Sequence, residues 1–151
     1  MRIYLGADHR GFELKEEIKQ WLQENEYEVE DVGAFVLDPE DDYVDFALKV
    51  AESIEGSDEN ARGILLCGSG HGMEMVANRF PRVRAILGFH DEVVVQGRED
   101  EDANILVIPS DWVGTDEARE RIEVFLRTLK SGAIRHERRR ARIANLQIRT
   151  A

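Results

Sequence analysis

The most reactive side chain in this sequence of 151 residues is that of Cys67, the only cysteine. It follows the aliphatic run Ile64-Leu65-Leu66 and precedes the loop Gly68-Ser69-Gly70-His71-Gly72. Glycines allow a backbone to approach a ligand closely, and the N–H groups that open a helix attract anions. A helix N-terminus also lowers the pKa of a nearby thiol. We therefore predict an accessible thiolate beside an anion site, which suits chemistry on a negatively charged intermediate.

A second interpretation of Cys67 is a small buried hydrophobic residue, the usual role of a cysteine after an aliphatic run. The glycine loop favours the reactive interpretation. This loop matches no nucleotide motif, because the glycine spacing differs from the dinucleotide fingerprint and no Lys-Ser/Thr pair follows. Ser69 is also not the serine of a Gly-x-Ser-x-Gly nucleophile turn, because the positions two residues before and two residues after it are not glycines.

Asp8 and His9 form a second candidate pair, directly after the strand-like segment Ile3-Tyr4-Leu5. The alternative interpretation is a carboxylate that caps the loop and an ordinary surface imidazole. Together with His71 and His90 the pair could ligate a metal ion, but no HxH or HExxH spacing supports that. We therefore expect no metal site.

Strands and helices alternate along the chain. Apolar runs predict strands at 3–5, 27–33, 63–66, 83–87 and 105–108. Helical periodicity predicts helices at 12–22, 44–54, 73–79, 90–97, 115–129 and 134–148. The run Val93-Val94-Val95 leaves a strand possible in the fourth of these helices. Thr115 or Asp116 is the expected N-cap of the fifth.

This alternation predicts one domain over residues 1–151, a three-layer α/β/α Rossmann-like fold with a five-stranded parallel sheet and an extra C-terminal helix. Ligands bind beyond the carboxyl ends of such strands, so Asp8 and Cys67 are expected at one edge. The last helix, within 133–151, has no following strand. We expect it to pack on a partner subunit through its apolar residues, in a homodimer, with a tetramer or heteromer left open. Those residues are Ile134, Ile143, Leu146 and Ile148.

The charge of the chain is strongly acidic and unevenly distributed. The net charge is -11, yet residues 130–151 carry seven Lys or Arg and a single Glu. The overall charge argues against a nucleic-acid partner, and the basic tail favours a partner subunit or an anion. A single unpaired cysteine is typical of a cytoplasmic protein. No apolar stretch has the length of a membrane span.

Several motifs, in order, resemble one family. They are GADHRGFELK at 6–15, Asp42-Tyr43, GILLCGSGHG at 63–72, Ala77-Asn78-Arg79-Phe80, and Arg135-His136 with Arg139. The chain is similar over nearly its whole length to the B-type ribose-5-phosphate isomerases, relatives of the galactose-6-phosphate isomerase subunits. The resemblance implies aldose–ketose isomerisation of a phosphorylated sugar through a cis-enediolate, without metal or organic cofactor.

The resemblance also implies roles for individual residues. Cys67 is the base that moves a proton between neighbouring carbons, because Met73 stands where some relatives carry a glutamate base. The loop residues supply the N–H cradle, and the Ser69 hydroxyl positions substrate oxygens; the cradle residues are Gly68, Ser69, Gly70, His71 and Gly72. Asp8 handles a hydroxyl proton.

The remaining implied residues hold the substrate. His9 binds its phosphate end, and Arg135 and Arg139, four apart on one helical face, bind the phosphate. Tyr43 lines the sugar pocket, although as a lone aromatic it could equally belong to the core.

One departure from the family concerns sugar-ring opening. The family carries His-Asn-Asp before the fifth strand, whereas this chain has Asp100, Glu101 and Asp102. Aspartate has a much lower unperturbed pKa than the histidine that helps to open the ring. Three explanations remain open: a short or acyclic substrate, replacement by His90 or His71, and a heteromeric enzyme. A non-catalytic sugar-phosphate binding protein is a fourth possibility.

Overall fold

In the computed structural model, which describes residues 1–146, five strands alternate with six helices. The strands are β1 (Arg2–Ala7), β2 (Glu28–Gly33), β3 (Arg62–Cys67), β4 (Ala85–Leu87) and β5 (Ile105–Pro109). The helices are α1 (Phe12–Glu24), α2 (Tyr43–Glu55), α3 (His71–Ala77), α4 (Asp91–Glu101), α5 (Thr115–Arg127) and α6 (Ile134–Ala144).

The strands form one parallel sheet in the order β2-β1-β3-β5-β4. Successive side chains of a strand point to opposite faces, so neighbours in a run such as Leu65-Leu66 enter different cores. Leu65 packs with Val50 beneath α2 and α3, whereas Leu66 packs with Ile18 and Phe125 beneath α1 and α5. The predicted three-layer fold is confirmed.

The central crevice of the sheet lies between β1 and β3. The chain leaves β1 for the edge strand β2 and then returns to β3 on the other side of β1. Such a reversal separates the connections at the carboxyl ends and opens a ligand crevice there. The two strand ends are tied together, because the Asp8 N–H donates to the Leu66 carbonyl at 3.3 Å. Asp8 and Cys67 therefore lie at one edge, as predicted.

Several local predictions require correction. The run Val93-Val94-Val95 is helical, so the strand alternative is wrong. The N-cap of α5 is Gly114 and no side chain caps it. Thr115 instead donates its hydroxyl to Glu17 Oε2 at 2.8 Å, which links α5 to α1 and removes it from the cap.

Helix α6 lies against the C-terminal end of α4. Arg140 donates to the carbonyls of Asp100 and Ser131, both at 2.9 Å. The apolar side chains of this C-terminal segment face solvent, with Ile134 at 82% and Leu146 at 70% exposure. Such exposure is consistent with the expected partner surface, which stays a prediction. The helix ends at Ala144, with Asn145 as its C-cap, earlier than the predicted end at 148, and Ile148 lies outside the described residues.

No helix within residues 1–146 combines the length and the hydropathy needed to cross a membrane.

Candidate active site

The thiol of Cys67 ends β3 and is buried, with 5% of the residue exposed. It packs in the apolar cluster that contains Leu65, Met73 and Val107. The backbone N–H groups of Gly70 and Met73, at the start of α3, act on the thiol and favour its charged form. The N–H cradle for substrate oxygens expected from the glycine loop stays a prediction.

The pKa of Cys67 is raised to about 11, chiefly by burial and further by the negative charge of Asp8. The two N–H groups and the Arg10 guanidinium act in the opposite direction and are outweighed. The predicted low-pKa, accessible thiolate is therefore wrong for the single chain. The helix N-terminus is present, but desolvation of the charged sulfur is the larger effect.

The glycines of the loop are required by close packing. Gly70 has a φ of +84°, and a Cβ there would lie 2.4 Å from Leu87 Cδ1. A Cβ on Gly72 would lie 2.5 Å from the Tyr43 ring. Tyr43 is thus placed on the loop, with 40% of the residue exposed, rather than in the core. Ser69 and His71 are exposed at the same loop.

Asp8 is buried, and its carboxylate caps the turn into α1. Oδ1 accepts from the N–H groups of Arg10 at 2.9 Å and Gly11 at 3.2 Å. Burial raises the pKa of this carboxyl, while the two N–H groups oppose the rise. The capping interpretation therefore describes Oδ1, whereas Oδ2 accepts no hydrogen bond from the residues that the structure describes and remains free to meet a ligand.

His9 is held by Asp41, a residue that the sequence analysis missed. Asp41 Oδ1 accepts from the His9 N–H at 3.0 Å and lies 2.6 Å from its ring Nδ1. This bond raises the pKa of His9. With Nδ1 engaged, Nε2 is the ring atom that can meet a ligand. Asp42, in the acidic run before α2, caps that helix, and nothing in the run distinguished Asp41.

Arg10 and Asp111 also belong to the site and were missed. The Arg10 guanidinium lies over Gly68 and forms an ion pair with Asp111. Asp111 comes from the loop after β5, which is bound to the cysteine loop. Its N–H donates to the Gly68 carbonyl at 3.1 Å, and the neighbouring Ser110 N–H donates to the Cys67 carbonyl at 2.8 Å.

Four predicted site residues lie away from Cys67 within one chain. Asp100 and Glu101 end α4, which runs from the carboxyl edge of the sheet to its amino edge. Arg135 and Arg139 are exposed on α6, which packs beside that end of α4. The structure therefore divides the predicted site between opposite edges of the sheet.

The amino edge has its own arrangement of charged groups. The buried His136 accepts from Arg135 Nε at 3.1 Å through its Nε2, and its Nδ1 lies 3.3 Å from Asp100 Oδ1. A cavity of about 360 Å³ opens nearby, lined by Arg84, Asp102 and Arg140 among others. It lies at the far edge from Cys67.

No group of three or more His, Cys, Asp or Glu side chains within residues 1–146 is arranged to hold a metal ion. Glu74, which follows the position of the alternative base, points away from the loop. Its Oε1 accepts from the Leu87 N–H at 3.1 Å.

Known proteins of one family match this sequence over almost the entire chain. A family model described as ribose/galactose isomerase matches residues 3–143. Ribose-5-phosphate isomerase B of Mycolicibacterium paratuberculosis is 37% identical over 92% of this chain and 87% of that protein. A putative sugar phosphate isomerase of Bacillus subtilis is 35% identical, over 97% of both chains.

Solved structures agree with the sequence matches. Ribose-5-phosphate isomerase B of Mycoplasma genitalium, solved with bound ribulose 5-phosphate, superimposes with a TM-score of 0.91 at 34% identity. The match covers 95% of this chain and 93% of that one. The Thermotoga maritima enzyme gives 0.88 at 39% identity, over 96% and 98%. These matches define an aldose–ketose isomerase. The chain belongs to the ribose/galactose isomerase family.

Proposed function

We propose that this enzyme interconverts ribose 5-phosphate and ribulose 5-phosphate through a cis-enediolate, with Cys67 as the base. The observation that carries the proposal is the position of the sulfur, which lies at the end of β3, where the N–H groups of Gly70 and Met73 at the start of α3 favour its charged form. The same N–H groups can stabilise negative charge that develops beside the sulfur. The substrates are those named for several relatives.

In the aldose-to-ketose direction, Cys67 as thiolate removes the proton from C2 and returns it to C1. A hydroxyl proton moves from O2 to O1, and the free Oδ2 of Asp8 is the group suited to carry it. Ser69 and the loop N–H groups hold the two oxygens in the cis arrangement. Tyr43, stacked on Gly72, covers the sugar.

A thiol with a pKa of about 11 is protonated at neutral pH, so the catalytic state needs added positive charge. A second copy of the chain can supply it. A two-fold axis perpendicular to the strands places the amino edge of one copy at the carboxyl edge of the other. Arg135 and Arg139 of that copy would then face Cys67, where they bind the phosphate and favour the thiolate. The proposed assembly is a homodimer.

Ring opening needs an acid at the site. Because Asp100 replaces the family histidine, another residue has to supply the proton. Of the two histidines considered, His71 is the first residue of α3 and is exposed at the glycine loop. His90 is the N-cap of α4 and forms an ion pair with Glu92. The geometry favours His71 for this role, with a short or acyclic sugar phosphate as the alternative substrate.

The proposal is tested by isotope exchange in D₂O with aldose and ketose phosphates of four to six carbons. We expect deuterium at C1 of the ketose and C2 of the aldose. Cys67→Ala should lower turnover by about two to four orders of magnitude, the range for loss of a catalytic base. Cys67→Ser, which preserves the size of the side chain and lacks an easily ionised group, should lose nearly as much.

Three results would contradict the assignment. Retained exchange in both variants, with the folded state verified by circular dichroism, would remove Cys67 from the chemistry. Binding of sugar phosphates by the wild-type protein without any exchange would instead indicate a non-catalytic binding protein, and exchange only after addition of a different chain would indicate a heteromer.

A further inference from the structure

The side chain of Arg10 lies against the glycine loop of the protomer that carries Cys67. A Cβ built on Gly68 would lie 2.6 Å from Cζ, 2.7 Å from Nε and 2.8 Å from NH1 of Arg10. The guanidinium therefore packs against the backbone of the loop that follows Cys67. Glycine at position 68 leaves room for it.

The backbone of Arg10 is fixed independently of its side chain. Its N–H donates to Asp8 Oδ1 at 2.9 Å, so the residue leaves β1 in a capped turn. The side chain then extends across the crevice to Asp111, on the loop after β5. The ion pair thus spans the carboxyl ends of β1, β3 and β5.

The pair is open to solvent, with 55% of the Arg10 side chain and 34% of the Asp111 side chain exposed. Exposed pairs of this kind contribute little to stability, so a competing anion can replace the carboxylate at small cost. A phosphate dianion carries more charge than a carboxylate and offers the guanidinium two parallel hydrogen bonds. Such a ligand can displace Asp111.

We propose that Arg10 is a phosphate-binding residue supplied, in addition to His9, by the same protomer as Cys67, and that Asp111 holds its guanidinium over the glycine loop until the phosphate of the substrate displaces it. The inference extends the proposed function by adding a residue of the cysteine-bearing chain to the phosphate contacts. Asp111 lowers the affinity for anions and selects against those too weakly charged to replace it.

Inorganic phosphate is the probe, with its dissociation constant measured by isothermal titration calorimetry on the full-length protein. Arg10→Ala should weaken binding by about tenfold, as expected for loss of one charge-assisted contact. Asp111→Asn should tighten it several-fold, because it removes a competing carboxylate. Neither change removes the backbone hydrogen bonds of these residues.

Glu28→Gln is the matched control. Glu28 forms an exposed ion pair with Arg2 at the amino edge, with side-chain exposures of 61% and 51%. This variant should bind phosphate as the wild-type protein does. A general effect of net charge would change Glu28→Gln and Asp111→Asn equally and would overturn the proposal.

The decisive result is that Arg10→Ala and Asp111→Asn change the phosphate affinity in opposite directions. Weaker binding in both Arg10→Ala and Asp111→Asn would show a structural pair and overturn the proposal, as would no change in either. The test is independent of turnover: absence of isotope exchange would reject the proposed isomerase, whereas the phosphate affinities alone decide the role of Arg10.

Discussion

At the scale of single residues, the site depends on the balance between burial and charge at Cys67. Burial and Asp8 raise the pKa of the thiol, while two N–H groups and Arg10 lower it. Because the sulfur is surrounded by groups of both signs, single substitutions should move its pKa in opposite directions. The chain has one cysteine, so its alkylation reports on this site alone.

Asp8→Asn should lower the pKa of Cys67, because it removes a negative charge and retains an oxygen that can cap the turn. In the wild-type protein, the rate of alkylation by iodoacetamide should rise with pH until about pH 11. The curve of the variant should lie at lower pH. Asp116→Asn, whose side chain is 96% exposed on α5, is the control and should leave the curve unchanged. A shift to higher pH would contradict the assigned effect of Asp8.

At the scale of elements, the strand-to-helix connections place the chemistry. The connection from β3 to α3 is a short glycine-rich segment, and the neighbouring elements pack closely against it. Leu87 of β4 contacts Gly70, and Tyr43 of α2 contacts Gly72. The loop is therefore shaped by side chains that come from distant parts of the chain.

Gly70→Ala should destabilise the protein by about 3 kcal/mol, which combines left-handed backbone strain with overpacking. The alanine Cβ would meet Leu87 at 2.4 Å on a backbone with φ of +84°. Gly132→Ala is the matched control, since nothing lies within 4 Å of its Cβ position. That change should alter stability by less than about 0.5 kcal/mol. Urea denaturation measures both, and equal effects would refute the packing argument.

At the scale of the whole molecule, the candidate residues occupy two edges of one sheet. Cys67, Asp8 and His9 lie at the carboxyl edge, whereas Arg139 lies on α6 beside the end of α4. One chain cannot bring both groups together. If the proposed homodimer forms, each active site takes its thiol from one copy and its arginines from the other.

Mixed dimers test this division directly. Cys67→Ala and Arg139→Ala proteins should each be impaired, because one lacks the base and the other a phosphate contact. After unfolding and joint refolding, half of the dimers are mixed and each has one intact site, so activity should recover to about a quarter of wild type. A mixture of Cys67→Ala with His9→Ala is the control. It should recover nothing, since both residues lie on the same edge of one chain. Equal recovery in both mixtures, or in neither, would contradict the shared site.

Much of this architecture was predictable from local patterns. The aliphatic runs of β3 and β5 and the periodicity of α1, α2 and α5 depend only on neighbouring residues, and these elements are found close to their predicted bounds. The position of Asp8 and Cys67 at one edge followed from the parallel sheet. The cap of α5 was not predictable, because Thr115 bonds to Glu17, which is 98 residues away in sequence.

The parallel sheet, the glycine loop after Cys67 and the family were predictable from the sequence, because strand periodicity and short motifs are local properties of the chain. The state of the thiol was not, since desolvation depends on how Leu65, Met73 and Val107 pack around it in the folded protein. The tertiary structure also decided the partners of His9 and Arg10. Asp41 and Asp111 reach them across 32 and 101 residues of sequence, distances over which no local pattern carries information.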